Sequence, residues 1–219
     1  MSEMLFHGKR ILFLGAHPDD IELGCGALIA ELAGKTELLA VTMSDNHHNS
    51  SLHSLPGQHA AAMATLGLQP DQVRLLTFET RRFPQFRQEI LEAMIQLLKE
   101  FDPEIVFVHS PADLHQDHKT TTEEALRAYR GRTVLGFDVI RSSYGFFPTF
   151  LIPVSEEALT KKLNALACYT TYRDKYYFDP ELTRATLIRN GALCERKLAE
   201  GFDILRMVAS FGELNPAGR

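Results

Sequence analysis

Short apolar runs alternate with stretches of helical spacing through the first two-thirds of the chain, and this constrains the fold more than any other feature. Arg10-Ile11-Leu12-Phe13-Leu14-Gly15-Ala16 is apolar on successive residues and ends in small ones, the pattern of a strand covered on both faces. The same reading predicts strands over 37–43, 73–77 and 105–109. Helices are expected over 21–33, 58–66, 86–101 and 119–129, with Gly67 stopping the second of them. Strands separated by helices of this length form right-handed βαβ units around a parallel sheet. Beyond them the spacing predicts strands over 133–140 and 149–154, a helix over 156–169 and a closing helix over 184–207. The expected class is α/β, a three-layer sandwich with a mostly parallel sheet.

A chain of 219 residues, 45% hydrophobic, buries one sizeable core, so residues 1–219 read as one domain. The net charge of −5 argues against nucleic-acid or anionic-membrane partners, which demand a basic stripe. No apolar run approaches the length that spans a bilayer, and Met1 to Gly8 lacks a long apolar secretory core. Cys25, Cys168 and Cys194 are odd in number and far apart, which suits a reducing cytoplasm and no disulfide framework.

Two polar clusters follow two of the predicted strands: Ala16-His17-Pro18-Asp19-Asp20-Ile21-Glu22 and Pro111-Ala112-Asp113-Leu114-His115-Gln116-Asp117-His118. In a doubly wound sheet of order 3-2-1-4-5, strands 1 and 4 are neighbours where the order reverses. Loops leaving their carboxyl ends open the ligand crevice there. Strand counting alone therefore puts both clusters on one rim. Imidazole and carboxylate ligands without thiolate suit Zn²⁺, with Fe²⁺, Mn²⁺ and Co²⁺ as alternatives. His17 and Asp20 can face one point, a histidine of the second cluster completes a three-ligand site, and Asp19 stays free as a base for a water molecule. A metal there lowers the pKa of a water to about 7 and polarises a carbonyl. Taken singly, Asp19, Asp20 and Asp117 also read as helix caps. Capping, however, does not call for histidine at both sites.

At these residues the chain resembles the LmbE-like (PIG-L) family of zinc-dependent N-acetyl-sugar deacetylases. Its AHPDDxE signature is met by Ala16 to Glu22 and its DxHxDH signature by Asp113 to His118; Phe147 to Phe150 and Lys162 to Tyr169 resemble its later strand and helix. The resemblance implies a Rossmann-like sheet and His17, Asp20 and His118 as metal ligands. It makes Asp19 the general base, His115 the oxyanion stabiliser and general acid, and Asp117 the residue that orients His115. Glu22 would bind sugar hydroxyls. The implied activity removes the N-acetyl group from an N-acetylglucosamine-type amino sugar or its conjugate, and homo-oligomers are implied as well. The alternative is a metal-dependent amidase or esterase acting on another acylated small metabolite.

Several features stay open at this level. The loop Ser44 to His53 departs from the Gly-containing turn of many relatives, and its His47, His48 and His53 read as a polar surface loop rather than a second metal site. Arg81 and Arg82 suit either an anionic substrate group or a solvated turn. His109 reads as a hydrogen-bonded structural histidine. Gly24-Cys25-Gly26 is not a phosphate loop, because Ile29 stands where the third small residue belongs. A non-catalytic metal or sugar binder is disfavoured, because mere binding needs neither Asp19 nor His115.

Overall fold

The computed structural model describes residues 5–209; the extreme termini, including Met1 to Met4 of the leader reading, lie outside the described residues. The elements run β1 (Arg10–Gly15), α1 (Asp20–Leu32), β2 (Glu37–Thr42), α2 (Leu55–Leu66), β3 (Val73–Leu75), α3 (Arg87–Phe101), β4 (Ile105–His109), α4 (Gln116–Ala128) and β5 (Thr133–Phe137). They continue as β6 (Phe150–Pro153), α5 (Glu156–Ala167), α6 (Pro180–Leu193) and β7 (Ala199–Arg206). The seven strands form one sheet of order β3-β2-β1-β4-β5-β7-β6, whose first five members carry the expected 3-2-1-4-5 order. β1 pairs in parallel with both β2 and β4, which makes it the switch point.

Strand alternation divides the core into two layers. Ile11, Phe13, Ile105, Phe107 and Leu135 join one apolar cluster with residues of α1, α2 and α5; Leu12, Leu14, Val106, Val108 and Val134 join another with α3 and α4. Each fully buried side chain of this kind contributes about 1.5–3 kcal/mol relative to exposure. Gly24 of α1 sits so close to β5 that a Cβ would come within 2.3 Å of Phe137, so close packing accounts for this glycine. Gly67 ends α2 at φ 100°, a left-handed cap that glycine adopts without strain.

The expected closing helix over 184–207 is corrected. Asp179 caps α6, its side chain accepting from Glu181 N–H, Pro180 occupies the first turn, and the helix ends at Leu193. Residues 199–206 then form β7, antiparallel to both β5 and β6. The Ala-, Leu-, Glu- and Lys-rich segment has helical propensity; pairing with two distant strands overrides it. Among the described residues no helix is long and apolar enough to cross a membrane.

Candidate metal centre and crevice

The chain leaves β1 through a tight turn. Asp19 adopts φ 109°, a left-handed conformation that non-glycine residues rarely take and that stores strain. As the N-cap residue of α1 it makes no capping side-chain bond, so the capping role considered for it is not used. Its buried carboxyl lines a cavity of about 480 Å³ together with His17, Asp20, His115 and His118. Burial, reinforced by the adjacent Asp20 charge, holds Asp19 well above the usual carboxylate range.

The second cluster arrives from β4 through α4, which starts at Gln116, three residues earlier than expected, because the His115 ring accepts from Asp117 N–H at 3.1 Å and caps it. That bond occupies His115 Nδ1 and leaves Nε2 to carry the proton of the neutral ring. Burial, and then the charge on His17, keep His115 below its ordinary pKa. His118 donates from Nδ1 to Asp113 Oδ2 at 2.7 Å, and His17 donates from Nε2 to Asp117 Oδ2 at 2.9 Å. Each carboxylate fixes a tautomer and turns the opposite ring nitrogen inward.

The inward atoms converge. His17 Nδ1 lies 3.2 Å from His118 Nε2 and 3.5 Å from Asp20 Oδ2, and His118 Nε2 lies 3.4 Å from Asp20 Oδ2. An ion bound tetrahedrally at zinc–nitrogen distances needs donors about 3.3 Å apart, so this triangle fits zinc, with one face toward the cavity. Two overlapping sets, His17–His115–His118 and Asp20–His109–His118, also have donor atoms within 4.8 Å of one another. His109 Nε2 is already spent on Ala16 N–H at 3.0 Å, which leaves it structural, and His115 Nδ1 is spent on the helix cap. Burial disfavours charge on His17, yet hydrogen bonds from Asp117 and Asp20 outweigh it and raise its pKa to about 10. Burial dominates at His118 and lowers it to about 4. Burial opposes ionisation of Asp20 too, but the surrounding histidines hold its carboxyl well below the usual range.

The structure corrects three expected contacts. The Asp117 carboxylate does not reach His115; it accepts from His17, from Arg81 N–H at 2.5 Å and from Phe83 N–H at 3.2 Å, and only the Asp117 backbone touches His115. Residues two apart on a helix point to different sides, so 115 and 117 cannot share a face. The same geometry turns Glu22 away from Asp20. Glu22 is fully buried, its Oε1 accepting from Tyr169 Oη at 2.5 Å and bonded to His59 Nδ1 at 2.9 Å, out of reach of a sugar hydroxyl. Arg82 is engaged by Gln85 and Glu79 outside the cavity, whereas Arg81 lines it. His47 pairs with Asp45 and His53 with Ser50 O, and no convergent ligand group among the described residues includes them.

Sequence reading missed the far wall of the crevice, formed by Arg141, Tyr172, Lys175 and Tyr177, and gave no role to Asp113. Asp113 stood inside the quoted second cluster, and the histidine five residues on is its signal. Arg141, Tyr172, Lys175 and Tyr177 fall outside every motif quoted above, and only the loops after β5 and α5 bring them onto this cavity.

Comparison with known proteins places these features in context. The family model described as GlcNAc-PI de-N-acetylase (PIG-L) matches residues 12–129. The "uncharacterized deacetylase YaiS" of Escherichia coli (strain K12) is 36% identical over 167 residues, covering 72% of this chain and 89% of the relative. N,N′-diacetylchitobiose deacetylase from Pyrococcus horikoshii shares the fold at 19% identity and TM-score 0.72, with 90% of this chain and 84% of that one covered. GalB, the 4-carboxy-2-hydroxymuconate hydratase of Pseudomonas putida KT2440, shares it at 18% identity and TM-score 0.73, with 94% and 99% covered. The fold therefore carries both an amide hydrolysis and a hydration, and the site's chemistry must select between them.

Proposed function

The chain belongs to the PIG-L family and is an N-deacetylase; from that premise we propose that it removes the acetyl group from an N-acetylated amino sugar or its conjugate with a Zn²⁺ ion held by His17, Asp20 and His118. The observation that carries this reading is the 3.2–3.5 Å donor triangle with Asp19 and His115 on the same cavity. Bound there, the ion would supply Lewis acidity toward water and the amide carbonyl. Fe²⁺ satisfies the same nitrogen and oxygen donors, and elemental analysis of the purified protein separates the two.

The chain's own residues supply the rest. Asp19, free of any capping duty and held high by burial, takes the proton of the attacking water. His115, neutral with Nε2 protonated, donates a hydrogen bond to the oxygen where negative charge develops. A neutral ring cannot fill the general-acid role the resemblance gave it without becoming imidazolate, so the proton taken by Asp19 is the one returned to the departing amine as the C–N bond breaks. Asp117 and Asp113 hold His17 and His118 in the tautomers that leave their inner nitrogens free.

The test is an amine-release assay on N-acetylglucosamine conjugates with metal-replete protein. Asp19→Asn should keep fold and metal while lowering kcat about 100- to 10,000-fold, the usual share of a positioned acid or base. Near-native turnover in that variant would remove Asp19 from the mechanism. Turnover of O-acyl or other amide metabolites in place of the amino sugars would favour the esterase or amidase alternative.

A further inference from the structure

The crevice wall built by the loops after β2 and β3 carries a ring of side chains whose protons can be placed by counting. Asn46 N–H donates to Ser44 Oγ at 3.1 Å, Ser44 Oγ lies 2.8 Å from Thr80 Oγ1, and Thr80 Oγ1 bonds Asn46 Oδ1. Ser44 is fully buried and already receives the Asn46 backbone proton. Its own hydroxyl proton therefore has one acceptor among the described residues, Thr80 Oγ1. Thr80 must then spend its proton on Asn46, which makes the bonded amide atom the oxygen. The reversed amide would leave the buried Ser44 proton without an acceptor, a cost that folded chains avoid.

Both protons of Asn46 Nδ2 are left over. This nitrogen makes no hydrogen bond among the described residues, although Asn46 is only 6% exposed and lines the same cavity as His17, Asp20 and His115. The amide is also held firmly relative to the metal ligands. Ser44 N–H donates to Ala16 O at 3.0 Å, beside His17, and Thr80 precedes Arg81, whose N–H donates to the Asp117 carboxylate that grips His17. Asn46 takes φ 59°, a left-handed conformation. Glycine would meet that turn more easily and offer no amide, so the backbone alone does not account for the side chain. A carboxamide N–H donates to a hydroxyl or carbonyl oxygen. On the substrate proposed above the acetyl oxygen faces the metal end and His115, which leaves the sugar hydroxyls. Glu22, the residue expected to bind them, is turned away. We infer that Asn46 Nδ2 donates to a ring hydroxyl of the amino sugar and so sets which sugar the crevice accepts. The inference rests on the deacetylase reading above and names a residue that reads its substrate.

Methyl N-acetylglucosaminide and its 3-deoxy, 4-deoxy and 6-deoxy analogues test it with the metal-loaded full chain. In the native protein, loss of one of these hydroxyls should lower kcat/KM several-fold to about tenfold, the span of one neutral hydrogen bond. Asn46→Gly keeps the left-handed turn and removes the amide, so its kcat/KM on the parent and on that analogue should agree within about twofold. The comparison is a ratio within each variant, so a smaller folded fraction does not move it. A merely structural role for the ring would slow every substrate alike. A native protein indifferent to all of these hydroxyls, or a ratio unchanged in Asn46→Gly, overturns the inference and leaves the deacetylase reading intact. If no amino sugar is hydrolysed while other acyl compounds are, that reading fails instead. Calorimetry with methyl glucosaminide and its deoxy analogues then decides Asn46 separately. Weaker binding of one analogue, with that difference lost in Asn46→Gly, upholds the inference; equal or absent binding overturns it.

Discussion

Two buried polar clusters touch helix α1, built from similar residue types with opposite outcomes. At its N-terminus, His17 Nδ1, His118 Nε2 and Asp20 Oδ2 converge on one spot, where Asp20 Oδ2 also accepts from His17 N–H at 2.7 Å. At its middle, Lys162 of α5 and Glu200 of β7 form an ion pair at 2.7 Å. Glu200 also accepts from Ala27 and Leu28 N–H at 2.9 and 2.8 Å, and Lys162 donates to Leu23 O at 2.6 Å. The second cluster is saturated, a side-chain patch stitched into the helix ladder. The only two buried side-chain polar atoms without a partner among the described residues lie outside this ion pair: His109 Nδ1, on the ring stacked against His118, and Glu22 Oε2, on the carboxylate held by Tyr169 and His59. Burying charge is costly in both places. What separates a structural cluster from a chemical one here is convergence: outward pairing into the helix backbone locks α1, whereas three ligand-type atoms gathered on one point can hold an ion.

The contrast can be broken from the saturated side first. Lys162→Ala leaves a buried carboxylate without its counter-ion and should cost about 3–5 kcal/mol of stability, measured by denaturant melts. Amine release per folded molecule should stay near native, because α1's catalytic turn is held separately by Asp113, Asp117 and the histidines. A variant that melts normally but loses turnover would show that the two clusters are one unit.

The chemical side yields a smaller, more selective effect. Asp113→Asn removes the acceptor that orients His118 and should weaken metal binding about 10- to 100-fold, read by competition with a chelator, with little change in the melt of the metal-loaded protein. Unchanged affinity would assign Asp113 to loop structure alone, through its bonds to Ser142 and His115 N–H.

The smallest signal is a proton. His17 is raised to about 10 and His118 lowered to about 4, so at pH 7–8 without metal the first ring holds its extra proton and the second does not. Metal uptake should then release about one proton, measured by calorimetry in buffers of different ionisation heat. The sign for stability follows. Because the folded pKa of His17 lies above its ordinary value, its contribution to the metal-free fold is complete below about pH 6.5 and disappears as pH rises through about 10. Release of none or of two protons would contradict the tautomers drawn here.

Legibility in the sequence followed the range of the interactions. β1, β2, β4 and the order 3-2-1-4-5 were readable because continuous apolar runs and helix-length spacers are local signals with few topological solutions. β7 was not, since its eight residues become a strand only by pairing with β5 and β6. The metal donors were readable as residue types on adjacent strand ends. Their partners were not: Asp117 grips His17, a hundred residues away in the chain, rather than His115 beside it. Glu22, adjacent to the catalytic turn in sequence, faces away from it.

The sequence by itself determined the sheet's switch point and the two polar clusters that meet there, because hydrophobic period and strand count are properties of the chain read in order. Only the tertiary structure decided which carboxylate holds which imidazole, and which cations look into the crevice. Helical direction sends neighbours in sequence to opposite sides, and loops from distant strands supply the facing wall.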